Sequence, residues 1–62
     1  MNKAIPVFRG EKTNVDLVPV NDTEYIICKE YLHDKSVSVM TLHVKELLGL
    51  QIALSAELIG KG

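Results

Sequence analysis

Up to Met40 the chain alternates short apolar runs with polar turns, and beyond it the apolar period lengthens. From Thr41 to Gly60, TLHVKELLGLQIALSAELIG, the residues Val44, Leu47, Leu50, Leu54 and Leu58 recur at spacings of three and four, the stripe of a core-facing helix. Leu48, Ile52 and Ile59 form a second ridge roughly 100° or more round the cylinder, at ~100° per residue. A third strip holds Gly49, Ala53, Ala56 and Gly60, and the run from Leu47 to Ala56 carries no charge. A helix apolar on most sides is buried on most sides, so one covering surface is not enough for it. The pattern predicts a helix over about 42–60, with Thr41 as N-cap and Gly60 ending it beside Lys61. Position 44 is Val where a capping box wants Glu or Gln, so the start can move by a few residues. Gly49 costs about 1 kcal/mol against Ala within a helix and marks either a close contact or a bend.

Strands are predicted at about 4–9, 14–20, 24–32 and 36–41. Ile5, Val7 and Phe8 give the first, and Val15, Leu17 and Val18 the second. Pro6 and Pro19, which cannot donate to a ladder, place their positions at sheet edges or strand ends. GEKTN links these two runs as a hairpin whose register nothing pins. Residues 23–33 are ambiguous. Tyr25, Ile26, Ile27, Cys28 and Tyr31 favour a strand, Lys29, Glu30 and Leu32 tolerate a helix, and strand is the expectation. His33-Asp34-Lys35 then serves as a hairpin loop into SVSVM. Centring that loop on Asp34 pairs Ile26 with Leu42, Cys28 with Met40, and Tyr31 with Val37. One face collects Ile26, Cys28, Met40 and Leu42 as a seat for the helix. The other collects Tyr25, Ile27, Tyr31, Val37 and Val39, interrupted by Lys29, and is too apolar to leave in water. The expected fold is α+β: two hairpins in a small antiparallel sheet with one C-terminal helix packed on it, a single domain over residues 1–62.

Sixty-two residues sharpen this picture, because a chain of that size buries only about 60% of its unfolded surface and is marginal alone. Small scaffolds use a staple. Cys28 is the single cysteine, which excludes an intrachain disulfide, and no Cys-x-x-Cys or His-x-x-x-His spacing suggests a zinc clamp. With 47% apolar residues, oligomerisation is the staple that remains, a homodimer first. Seven basic against eight acidic residues, net charge −1 and no runs, predict neither a nucleic-acid surface nor a polybasic membrane patch. The stretch MNKAIPVFRGEK lacks the apolar region of a signal peptide, and the uncharged part of the helix is short of the ~20 residues that span a bilayer, so a cytoplasmic protein is expected.

Candidate chemistry is thin. Cys28, His33, Asp34 and His43 are the only soft or borderline metal ligands in one region, and the hairpin sets the two imidazoles at opposite ends, so no metal site is expected. Cys28 with a histidine is the one nucleophile–base pair on offer, but it faces apolar neighbours with no cation to lower its pKa. No enzyme is expected, and no cofactor, since Gly10, Gly49, Gly60 and Gly62 are isolated and form no phosphate loop. VKELLGLQ has the generic look of the first helix and glycine turn of a helix-turn-helix, which makes residues 44–60 an alternative DNA-binding unit. Its second helix, IALSAELI, offers no Arg, Lys, Asn or Gln to base edges, and Glu57 faces phosphate repulsion, so nucleic acid is an improbable partner. An interfacial membrane helix wants a basic face, and only Lys45 and Lys61 are present. The remaining use of the surplus apolar surface is contact with protein: a small regulatory or accessory module that self-associates and binds a larger partner. Its interface is expected at Leu48, Gly49, Leu50, Ile52, Ala53, Ala56 and Ile59 on the helix and Tyr25, Ile27 and Tyr31 on the sheet. The plain alternative is that all of this is monomer core.

Overall fold

The computed structural model describes residues 3–61. Met1, Asn2 and Gly62, at the ends of the expected domain, lie outside the described residues. Four strands follow one another, β1 (Ile5–Arg9), β2 (Thr13–Pro19), β3 (Glu24–Tyr31) and β4 (Ser36–His43), and then one helix, α1 (Val44–Lys61). The strands form a single antiparallel meander in the order β1-β2-β3-β4, which is the α+β architecture expected, and residues 24–31 are strand. Pro6 lies on the edge strand. Pro19 closes β2 beyond Leu17, the partner of the first residue of β1, and so lies outside the β1–β2 ladder. Val7 is an extra residue between the Pro6–Asp16 and Phe8–Val15 pairs, a bulge that returns Phe8 to the face of Ile5.

The turns are built by side chains. Asn21 Oδ1 accepts from the Thr23 and Glu24 backbone N–H groups, both at 2.9 Å, while its amide donates to Glu24 Oε1 at 2.8 Å. Asp34 Oδ1 accepts from the Ser36 backbone N–H at 2.9 Å and from its hydroxyl at 2.7 Å. Lys35 takes the left-handed conformation, φ 60°, that a side chain adopts only at a cost.

This second turn corrects the register expected for β3 and β4. Four residues, 32–35, separate the strands, so the turn is centred between His33 and Asp34. Ile26 therefore faces Thr41, Cys28 faces Val39 and Tyr31 faces Ser36, each one residue away from the expected partner. Because side chains alternate with period two, the slip exchanges the faces of β4. Met40 and Leu42 join Tyr25 and Ile27, while Val37 and Val39 join Ile26 and Cys28.

The helix start is corrected as well. Thr41 remains in β4, and His43 caps the helix: its Nδ1 accepts from Lys45 N–H at 3.0 Å, and Glu46 Oε1 reaches back to the His43 N–H at 2.8 Å. Glu46 supplies the return half of a capping box, while the histidine accepts from the second helical N–H. The Val44 N–H, otherwise unpaired in a first turn, donates to the Thr23 carbonyl at 2.7 Å, tying the helix origin to the β2–β3 turn. Gly49 sits inside one continuous helix, so the turn required by the helix-turn-helix alternative over residues 44–60 is not formed.

No residue separates β4 from α1. Val44 and Leu47 are half-buried where the helix leaves the sheet, and every residue from Leu48 to Lys61 is exposed. Among the described residues none is buried. The chain exposes 5,090 Å², against about 4,000 Å² for a compact monomer of its mass. Its radius of gyration is 13.3 Å, against about 10.5 Å for a compact chain of this length.

Removing the Glu46 carboxylate by Glu46→Ala is expected to destabilise the fold by about 1 kcal/mol, read from the denaturant midpoint. Lys35→Gly, which relieves the left-handed side chain, is expected to move the midpoint the other way by up to about 1 kcal/mol.

Candidate interaction surface

The corrected register gives the sheet two unlike faces. On the first, Ile5, Leu17, Ile27 and Met40 run as one row across all four strands. Phe8 and Val15 extend the row on one side, Tyr25 and Leu42 on the other. The only charge there is Lys29, whose ammonium lies 5.2 Å from the Tyr31 ring centre, a cation–π contact at the sheet's polar end. The opposite face is divided. Arg9 pairs with Asp16 at 2.6 Å, and Asn14 sits opposite Glu30 with its amide 3.5 Å from Oε1. Val18, Ile26, Cys28, Val37 and Val39 make a smaller apolar patch beside that polar half.

The helix adds the larger share. Leu50, Leu54 and Leu58 are each more than half exposed, and Ile52 and Ile59 reach 69% and 80%. Contiguous apolar patches beyond a few hundred Å² are uncommon on a soluble monomer and mark contact sites. The expected interface residues fall into two groups that the isolated chain does not bring together. Leu48, Gly49, Leu50, Ile52, Ala53, Ala56 and Ile59 are exposed along α1, and Tyr25, Ile27 and Tyr31 share the apolar sheet face, half-buried. Ile5, Phe8, Leu17, Met40 and Leu42 belong to that face too and were missed. The first three needed the β1–β2–β3 register, and the last two were misplaced by the one-residue slip. An even-numbered loop between Tyr31 and Ser36 was the signal that could have placed them.

The candidate metal ligands are dispersed: Cys28 in mid-β3 on the divided face, His33 and Asp34 in the β3–β4 loop, His43 engaged as the helix cap. Among the described residues no three His, Cys, Asp or Glu side chains gather as a metal site, and no enclosed pocket is formed. His33 Nε2 lies 3.4 Å from Asp34 Oδ2 at the exposed loop tip. Hydrogen bonds from the Ser36 hydroxyl, and then from its backbone N–H, hold the Asp34 carboxyl below the ordinary carboxylate range. No helix among the described residues is long and apolar enough to cross a membrane. Comparison with protein-family models, with curated proteins and with solved structures returns no match.

A depressed folded-state pKa stabilises the fold above the unfolded value, and the contribution is lost as pH falls through the folded one. In an NMR pH titration, Asp34 is expected to titrate below the ordinary carboxylate range and to move upward in Ser36→Ala.

Proposed function

We propose that this chain is a self-associating protein–protein interaction module, a homodimer that serves as a cytoplasmic regulatory or accessory protein rather than an enzyme. The observation that supports this reading is the exposed apolar surface of α1 together with a sheet that has no covering layer. An unfolded chain of 6.9 kDa exposes about 10,000 Å², so folding as a single chain removes only about half. That is less than the roughly 60% at which domains of this size are already marginal. The missing burial needs a second surface, and the apolar residues that would supply it are outside. Binding of a larger partner uses whatever apolar surface the homodimer leaves free, the Val37–Val39 patch among it.

Light scattering on the purified chain at micromolar concentration is expected to give twice the 6.9 kDa chain mass. A compact, stable monomer would remove the reading. Leu50→Glu or Ala53→Glu is expected to weaken association by about 2 kcal/mol or more, roughly thirtyfold in dissociation constant. An unchanged oligomeric state in both counts against a helix-mediated interface.

A further inference from the structure

Resting on that reading, we propose a specific dimer: a second copy of this chain in which the two α1 helices are exchanged, each lying on the apolar sheet face of the other copy. Four observations lead there.

The first is the junction. β4 passes into α1 with no intervening residue, and the first helical N–H is held by the Thr23 carbonyl. From Leu48 to Lys61 every residue of the helix is exposed, so α1 does not lie on its own sheet face, and that face is open to another copy.

The second is size. Eighteen helical residues extend about 27 Å. The eight-residue strands β3 and β4 extend about the same length. One helix thus spans the long direction of the face that carries Ile27 and Met40.

The third is area. The chain exposes about 1,100 Å² more than a compact monomer of its mass, and a stable interface removes about 800 Å² from each partner. One reciprocal contact restores ordinary burial. The unit then closes on itself, since the same two surfaces are used once by each copy under a two-fold axis.

The fourth is the angular layout of the helix. The Leu50, Leu54 and Leu58 stripe and the Leu48, Ile52 and Ile59 ridge are separated by about 140°. Two strips that far apart need two covering surfaces. The leucine stripe meets the partner's sheet, and the isoleucine ridge meets the partner's helix near the two-fold. Charge selects the face: the face of Leu17 and Ile27 carries Lys29 toward one end, whereas the opposite face carries the Arg9–Asp16 pair and Glu30.

The test is an isotope-filtered NOE experiment on the full chain, mixed from ¹³C-labelled and unlabelled copies unfolded and refolded together. Cross-peaks between chains are expected from Leu50, Leu54 and Leu58 methyls to Leu17, Ile27 and Met40. A dimer by light scattering whose intermolecular peaks join helix to helix alone overturns the exchange and leaves self-association standing. A monomer overturns both. In parallel, Ile27→Lys is expected to raise the dissociation constant at least tenfold, and Val39→Lys, on the opposite face, to leave it within about threefold. The reverse order overturns the choice of face.

Discussion

The direct passage of β4 into α1 governs what this chain can bury. The helix begins directly after the last residue of β4, and the Thr23–Val44 and His43–Glu46 hydrogen bonds fix its origin there. The sheet keeps its apolar face open, and the helix keeps its leucines and isoleucines in water from Leu48 onward. Two surfaces that would form a core if stacked are held apart by the backbone between them.

The energetic consequence follows from scale. Backbone hydrogen bonds in the meander satisfy its polar groups, yet their net contribution is modest, and the hydrophobic term that normally offsets chain entropy grows with area removed from water. A monolayer of four strands with a projecting helix removes less of that area than a compact chain of equal mass. The proposed exchange addresses the deficit with no new element, because each copy already carries both halves of the contact. The Arg9–Asp16 pair and the Asn14–Glu30 neighbours then have a separate role. They keep part of the opposite face polar and limit stacking of sheets on that side.

The elements themselves were legible in the chain. Alternation in SVSVM, the β-branched and aromatic residues from Tyr25 to Tyr31, and the two prolines placed the four strands within a residue or two of where they lie. The Leu period placed the helix. Less legible were the joints. Histidine is an uncommon N-cap and threonine, as at Thr41, a common one, yet the glutamate that reaches back lies three residues after His43, not after Thr41. The β3–β4 loop reads equally well with three residues or four, and that single residue decides which face receives Met40 and Leu42. The interface positions expected on the sheet, Tyr25, Ile27 and Tyr31, share a face in either register, because all three lie on one strand.

By itself, then, the sequence determined which segments are strand or helix, since local period carries that information. Only the tertiary structure decided which residues share a face and whether the helix covers its own sheet. Those outcomes depend on loop parity and on the geometry of one strand-to-helix junction, where a single residue more or less redirects everything beyond it.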